Sequence, residues 1–210
     1  EQILEFSDKI VLSAQRMQRL MESLLSYSRI SNDDSTLEMI DLNDVFGAAT
    51  TDLELMISES NAKITADDLP RLRGVPFQLH QLFLNLISNS IKFAHPDRRP
   101  ELHISSKRVP RAKLPEELLI KNSEYFCLTF SDNGTGFSND HATKIFDVFR
   151  RLRPKDGQGT GIGLAIVKKV ALNHNGDVVA EGIPGCDEDA GAHDVAALGR
   201  DGPRSARAPP

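Results

Sequence analysis

The chain has 210 residues, 40% of them hydrophobic, which is enough for one globular domain and a helical appendage. Its net charge of −5 argues against a nucleic-acid partner, because such partners are held mainly by lysine and arginine at phosphates. The isolated Cys127 and Cys186 fit neither zinc nor disulfide spacing, and no stretch approaches the roughly 18 apolar residues of a membrane span. We therefore expect a cytoplasmic location. Since Glu1 opens the chain inside a helical pattern, we also expect a longer parent protein, with any membrane attachment in its other parts.

Residues 1–31 predict one long helix, because they contain neither glycine nor proline. Residues recur there at alternating spacings of three and four, and all but the serine are apolar: Ile3, Phe6, Ile10, Ser13, Met17, Leu20, Leu24 and Tyr27. This heptad pattern is typical of a coiled coil or four-helix bundle. Since one helix cannot bury such a stripe alone, we predict a homodimer through it. Packing against the chain's own domain is the alternative.

A polar linker is predicted over 32–40, with a short strand at 36–40. Asp41 stands where the N-cap of a helix reaching about residue 60 belongs, and residues 62–72 should be extended. The main domain is predicted over 41–184. From 185 to 210 large apolar side chains are nearly absent, so we expect an irregular tail that cannot offset its ordering entropy.

The helix predicted to begin at Pro76 has a polar stripe beside its apolar face. Asn85, Asn89 and Lys92 are spaced by four and three residues, so they share this stripe. A carboxamide oxygen can bind Mg²⁺, which takes other ligands from water and phosphate, and a lysine supplies charge for phosphate oxygens. The stripe therefore indicates a site for a metal-bound polyphosphate. An ordinary solvent-facing surface is the alternative.

Strands are predicted over 102–109 and 125–131, with a loop between them. The second strand leads into a glycine turn at 132–136. There Asp132 could accept a hydrogen bond from an exocyclic amine such as that of adenine, while Gly134 and Gly136 allow close approach of a ligand to the backbone. The alternative is a turn without a ligand.

A second glycine cluster, residues 157–163, precedes a helix predicted over 164–173 and a strand over 178–181. Such a loop directs backbone N–H groups and the positive end of the helix towards an anion. It has neither the lysine of a Walker loop nor the preceding strand of a Rossmann fingerprint. Between the two clusters, Phe146 and Phe149 could be anchors of a lid, and the default interpretation is that they are core residues.

These segments, in this order, resemble the nucleotide-binding domain of sensor histidine kinases. Residues 84–93 resemble the asparagine box, 132–137 and 159–168 the two glycine boxes, and 145–152 the phenylalanine box. Residues 16–30 resemble the end of the family's second dimerisation and phosphotransfer helix, which we assign to 1–31. The resemblance covers about 1–184. It implies an α/β fold, a two-layer sandwich whose mixed sheet is covered by helices (the Bergerat-type ATP-binding fold of gyrase, MutL and a heat-shock chaperone), preceded by the long dimerisation helix.

The resemblance further implies a kinase that transfers the γ-phosphoryl group of ATP to a histidine, and then to an aspartate on the receiver domain of a response regulator. Asn89 would ligate Mg²⁺, and Asn85 and Lys92 would contact the phosphates as the catalytic pair. Phe93 and Asp132 would bind the adenosine part. The remaining nucleotide-binding residues would shape the adenine pocket, the hinge of a lid over 138–160 and the phosphate cradle: Gly134, Gly136, Gly159, Thr160, Gly161, Gly163 and Leu164.

Two departures from the family pattern are visible. No histidine precedes His80, so we expect no phosphoacceptor and no autophosphorylation in this chain. The sequence after residue 185 also lacks the family's usual last strand. A nucleotide-binding regulatory module without kinase output is the second hypothesis. A third, an ATPase of the gyrase or MutL type, predicts a basic surface and a transducer domain, and the sequence shows neither.

Overall fold

The structure is a computed structural model that describes residues 2–31, 36–110, 112, 124–151, 159–182 and 193–199. Its elements in chain order are α1 (Gln2–Ser31), β1 (Glu38–Asp41), α2 (Leu42–Asp52), α3 (Glu54–Glu59), β2 (Lys63–Ala66), β3 (Arg71–Gly74), α4 (Pro76–Lys92), β4 (Glu101–Pro110), β5 (Glu124–Asp132), α5 (Gly163–Asn173), β6 (Asp177–Glu181) and β7 (His193–Gly199). Two 3₁₀ turns, Asn139–His141 and Lys144–Phe146, lie between β5 and α5. In these ranges no helix combines the length and hydropathy that crossing a bilayer requires.

Five of the described strands form a mixed sheet in the order β2-β4-β5-β7-β6, and β1 pairs separately with β3. β2 runs parallel to β4, whereas the other neighbours are antiparallel. Alternate residues of β4 and β5, such as Ile104 and Leu128, are fully buried, because successive strand side chains point to opposite faces. The helices α2, α4 and α5 supply the other half of this core, where Phe83 meets Phe130 edge to face at 5.3 Å between ring centroids. The predicted two-layer α/β sandwich is confirmed.

Helix α1 spans the predicted range, but its two ends have different environments. Ile10, Met17 and Leu24 of the heptad stripe are 68%, 59% and 50% exposed, so no described part of the chain covers them. Ile30, by contrast, is 1% exposed, and its carbonyl accepts a 2.8 Å hydrogen bond from the Asn173 side chain. The last turn of α1 therefore packs on the sandwich, as the alternative prediction had it. The homodimer predicted through the stripe before it stays a prediction. The side chains of the other predicted stripe residues Ile3 and Phe6 lie outside the described part.

Asp41 is the N-cap of α2, as predicted, and its carboxylate accepts from the backbone N–H of Asn43 at 2.9 Å. The single helix predicted as far as about residue 60 is wrong, because α2 ends at Asp52 and α3 begins at Glu54. Just before the break, the hydroxyls of Thr50 and Thr51 donate to carbonyls one turn back. Such side-chain bonds compete with the helical ladder and bend helices. The predicted extended segment 62–72 is likewise two strands, β2 and β3, which belong to different sheets. Residues 32–35 of the predicted linker are outside the described ranges.

The predicted irregular tail is wrong for residues 193–199, which form β7. This strand lies between β5 and β6 and pairs antiparallel with both, for example through Val195 with Thr129 on one side and Val179 on the other. The prediction considered only how many large apolar side chains the segment could bury. β7 is instead held by backbone hydrogen bonds along both of its edges. Those ladders satisfy donors and acceptors that β5 and β6 would otherwise leave open. Residues 185–192 and 200–210 of the tail are outside the description.

Candidate functional site

Helix α4 carries the predicted polar stripe on the edge of its buried face. Pro76 occupies its first turn, where a missing N–H costs nothing, and Leu79, Leu82 and Leu86 are at most 1% exposed. Asn85 and Asn89 are half-buried, while Lys92 in the last turn is exposed. The structure thus places all three on one side of α4, with the two carboxamides closer to the core than the ammonium.

The side chain of Asn85 is wedged against the start of α5. Its Nδ2 donates to the carbonyl of Gln81 at 2.7 Å, which fixes the amide. A Cβ atom added to Gly163 would lie only 2.7 Å from Asn85 Oδ1. Glycine at 163 is therefore what allows the first turn of α5 to approach the polar stripe of α4 this closely.

The first turn of α5 is open to an anion. Ile162 occupies the N-cap position without a capping side-chain hydrogen bond, so among the described residues no side chain caps the first N–H groups of the helix. Uncapped N–H groups together with the helix dipole favour negative charge there. Gly163 and Leu164 begin this turn, and Leu164 also packs on the core. The phosphate cradle assigned to this turn stays a prediction.

The glycine loop before α5 is built on left-handed backbone. Gly159 and Gly161 have φ values of 83° and 73°, which residues with a Cβ rarely adopt. The carbonyl of Gly161 accepts from the N–H of Phe149 at 2.8 Å, and a Cβ at 161 would stand 2.8 Å from the Phe149 carbonyl carbon. This contact connects the residues that follow the second 3₁₀ turn to the glycine loop. Residues 152–158 of the predicted lid lie outside the described chain.

The two phenylalanines of this segment behave differently. Phe146 packs against the core, and the ammonium of Lys168 lies 5.9 Å from its ring centroid. Phe149 is 59% exposed with a positive φ of 65°, so its prediction as a core residue is wrong. The hydrogen bond to Gly161, rather than burial, holds the backbone at 149. A local turn of this kind leaves no mark in hydrophobic periodicity.

The loop after β5 is joined directly to the end of α4. The carboxylate of Asp132 accepts from the N–H of Gly134 at 2.8 Å, and the carbonyl of Phe93 accepts from the N–H of Thr135 at 3.0 Å. A Cβ at Gly134 would lie 2.7 Å from that same carbonyl. Gly136 follows with a φ of 59°, and the Phe93 side chain is 43% exposed beside the loop. The predicted purine-binding residues are thus held next to the polar stripe of α4.

Sequence reasoning missed Asn133, which fixes this loop from the other side. Its Oδ1 accepts from the N–H of Glu101 and its Nδ2 donates to the carbonyl of Arg99, both at 2.9 Å. The side chain therefore bridges the start of β4 to the end of β5. An Asp-Asn-Gly turn signals a loop. Only the partner strand, 32 residues away in sequence, shows what the asparagine does.

The electrostatics of the stripe are set by two cations. Lys92 is at the surface, yet the surrounding protein removes enough water from its ammonium to lower its pKa, and the nearby charge of Arg19 in α1 lowers that pKa further. In the part of the chain that the structure describes, neither cation forms an ion pair with a carboxylate. This end of the stripe is positive and suits an anionic ligand.

The donor set fits Mg²⁺ as a partner of a bound phosphate and does not fit an all-protein metal site. Among the described residues there is no group of three histidine, cysteine or acidic side chains that could hold a metal. The carboxamide of Asn89 offers one hard oxygen on the half-buried stripe. Mg²⁺ commonly takes one or two protein oxygens and completes its shell with water and phosphate.

A cleft of about 430 Å³ lies at the other end of α4 and contains none of these residues. It is lined by Thr36, Glu38, Val75, Pro76 and Phe77. Since α4 has 17 residues, this cleft is about 25 Å from Lys92 along the helix. It is a separate feature of the surface.

Comparison with known proteins identifies a family and several relatives of this chain. Residues 74–193, more than half of the chain, match the family model "Histidine kinase-, DNA gyrase B-, and HSP90-like ATPase". The chain is 32% identical over 186 residues to the phytochrome-like protein Cph1 of a Synechocystis species, covering 88% of this chain and 23% of that protein. It is 34% identical over 178 residues to cyanobacterial phytochrome A of a Nostoc species, covering 84% and 21%. The chain therefore spans less than a quarter of the length of these relatives.

A solved structure, full-length ShkA in complex with AMPPNP, has the same fold. It superposes with a TM-score of 0.65 at 20% identity, over 94% of this chain and 37% of that one. With the asparagine stripe, the two glycine turns and the uncapped α5 in place, the chain belongs to the histidine kinase-, DNA gyrase B- and HSP90-like ATPase family, and carries the ATP-binding domain of a sensor histidine kinase.

Proposed function

We propose that the chain binds Mg-ATP between α4, the loop after β5 and the first turn of α5. From there it would pass the γ-phosphoryl group to a histidine outside this chain, and onward to an aspartate on a receiver domain. The observation that carries the proposal is the packing of Gly163 against Asn85, which sets an uncapped helix N-terminus beside a stripe of carboxamides. AMPPNP in the related ShkA structure supports a nucleotide ligand.

In this proposal the purine lies at the loop after β5. The Asp132 carboxylate accepts from the adenine amine while it keeps its bond to the Gly134 N–H. Gly134 lets the loop approach the Phe93 carbonyl closely, Gly136 would help to shape the adenine pocket, and the half-exposed Phe93 would line it. An acceptor at this place rejects guanine, whose corresponding position is also an acceptor, because two acceptors facing each other leave both unsatisfied.

The triphosphate extends along the stripe towards α5. The backbone N–H groups of Thr160, Gly163 and Leu164 would donate to phosphate oxygens, with Gly159 and Gly161 as hinges of the loop. Lys92 supplies a point charge, and the Asn85 amide gives a further polar contact. The Asn89 oxygen would hold Mg²⁺, which when bound neutralises charge that develops on the phosphate oxygens. The protein contributes position and electrostatics, which dominate in phosphoryl transfer.

The exposed stripe of α1 supports a homodimer through this helix. Ile10, Met17 and Leu24 are all at least half exposed, and a second copy of the helix would cover them as in a four-helix bundle. The acceptor histidine would then stand on the other helix of the bundle, outside this chain. ATP and receiver domains meet in the cytoplasm, which is where we place this domain.

The proposal is tested by supplying the missing acceptor. The chain is incubated with γ-labelled ATP, Mg²⁺ and a separate dimerisation-helix fragment that carries a histidine. We expect acid-labile label on that fragment, and none when its histidine is replaced by glutamine. Stoichiometric ATP binding without any labelled histidine, tested across several acceptor fragments, would contradict the kinase role.

Two substitutions test the assigned ligands. Asn89→Ala should weaken ATP binding in Mg²⁺ by about tenfold but have little effect in EDTA, because a polar contact of roughly 1.4 kcal/mol is lost only when the metal is present. Ser88→Ala on the same helix is the control. Asp132→Asn keeps an oxygen for Gly134 but turns the other acceptor into a donor, so it should abolish the preference for ATP over GTP. Calorimetry that shows an unchanged metal effect or an unchanged preference would remove that assignment.

A regulatory module without kinase output is the second candidate. The sequence feature that favours it is the lack of a histidine before His80, which a longer parent protein explains more simply. It predicts the same nucleotide affinity but no phosphoryl transfer to any acceptor helix, so the labelling experiment separates the two candidates.

A further inference from the structure

Helix α1 reaches the candidate site as well as the core. The hydroxyl of Thr160, in the glycine loop, donates to the Ser23 hydroxyl of α1 at 3.2 Å. One turn further along α1, the Ser26 hydroxyl donates to Gln81 of α4 at 3.3 Å. Gln81 is the residue whose carbonyl holds the Asn85 amide. The two bonds place α1 along the side of the site where α4 and α5 meet.

Arg19 lies one turn before Ser23 on the same side of α1. The Ser23 hydroxyl donates to the Arg19 carbonyl at 2.8 Å, and residues four apart share a helix face. Ser26 is bonded near the middle of α4, whereas Arg19 interacts electrostatically with Lys92 in its last turn. The two helices therefore run antiparallel. The segment of α1 from Ser26 back to Arg19 lies beside the part of α4 that runs from Gln81 to Lys92.

Two cations thus converge at the end of the stripe. Like charges that approach each other without a counter-ion raise the energy of the empty site, and a polyanion between them removes that cost. Neither Arg19 nor Lys92 has a carboxylate partner within the described residues. Arg19 uses its Nε for the Gln15 carbonyl at 3.3 Å, and a guanidinium has further donors in a fork that matches phosphate oxygens.

We propose that Arg19 of α1 is a phosphate-binding residue of the nucleotide site, where it contacts the polyphosphate tail together with Lys92. The inference rests on the proposed function, because it needs ATP in this site. It makes α1 part of the binding surface, so the position of the helix sets the affinity for ATP. By reciprocity, bound ATP then favours the docked position of α1.

The test measures nucleotide affinity of the whole chain by competition with a fluorescent ATP analogue in Mg²⁺. We expect Arg19→Gln to bind ATP about tenfold more weakly, which is the loss of one charge-assisted contact. Affinity for adenosine, which has no phosphate, should be unchanged. Arg19→Lys should recover part of the loss. The control is Arg29→Gln, since Arg29 is exposed on the same helix and about 15 Å away along it.

The possible results distinguish a failure of the proposed function from a failure of the role assigned to Arg19. A wild-type chain that is folded but binds neither ATP nor adenosine contradicts the proposed function itself. Normal wild-type binding with Arg19→Gln within twofold of it overturns the role of Arg19. Equal losses for ATP and adenosine in Arg19→Gln also overturn it, because they reveal a structural effect of the residue instead of a contact with phosphate.

Discussion

Replacing Gly163 by alanine tests the geometry on which the site depends. The added Cβ would lie 2.7 Å from Asn85 Oδ1, well inside normal contact distance. The atom it meets is the end of a side chain, so the Asn85 amide must rotate away. Its 2.7 Å hydrogen bond to the Gln81 carbonyl is then lost. That loss costs about 0.5–1.5 kcal/mol of stability.

A second contribution to the free energy of unfolding has the opposite sign. Gly163 does not have a left-handed φ, so alanine there restricts the unfolded chain and stabilises the fold by about 0.4–1 kcal/mol. The two terms nearly cancel, and we expect the free energy of unfolding to change by less than about 1 kcal/mol. Binding has no such compensation. With the Asn85 amide displaced from the phosphates, ATP affinity should fall by roughly tenfold or more.

The assay pairs urea denaturation with titration of a fluorescent ATP analogue. Gly47→Ala in α2 is the matched control, because a Cβ there meets no atom within 4 Å. It should stabilise the chain by about 0.5–1 kcal/mol and leave affinity unchanged. If Gly163→Ala is folded and binds ATP as tightly as the wild type, the packing of Asn85 against α5 has no role in binding and the reasoning is refuted.

Two further predictions concern stability. His174 is 2% exposed, its Nε2 accepts from the N–H of Val75, and burial lowers its pKa below the ordinary value of 6.5. The unfolded chain therefore takes up a proton that the folded chain does not as pH falls below about 6.5. Unfolding free energy should then drop by up to about 1.4 kcal/mol per pH unit relative to His174→Gln; parallel pH profiles would contradict this. Lys168 is paired with Asp177, whose side chain is 3% exposed against 31% for the lysine. Urea denaturation should show a larger loss of unfolding free energy for Lys168→Met, at about 2–3 kcal/mol, than for Asp177→Asn. Only the first substitution removes the ammonium that neutralises the buried Asp177 carboxylate, and the reverse order would count against this reasoning.

Much of the fold could be predicted because its signals are local. Pro76 and the apolar spacing that follows it fix α4, and Asp41 marks the start of α2. The three polar residues of α4 and the glycine turns also stand out, since helical spacing and glycine chemistry are readable over a few residues. Their assigned contacts with nucleotide and metal stay predictions.

The remaining features depend on partners far away in sequence. β7 exists because β5 and β6 offer it two open edges, and its composition gives no hint of that. Ser23 and Thr160 are 137 residues apart, so their bond cannot be inferred from either segment alone. The break between α2 and α3 arises from hydroxyl bonds within one turn, a small local energy that periodicity does not register.

The central claim is that the stripe of α4 and the first turn of α5 together hold a magnesium-bound adenine nucleotide. Isothermal titration of the folded chain with ATP, in Mg²⁺ and in EDTA, measures this directly. We predict saturable one-to-one binding that is clearly tighter with Mg²⁺ and absent for GTP at the same concentrations. A chain that is folded by circular dichroism and gives no heat of binding with ATP under either condition would contradict the claim.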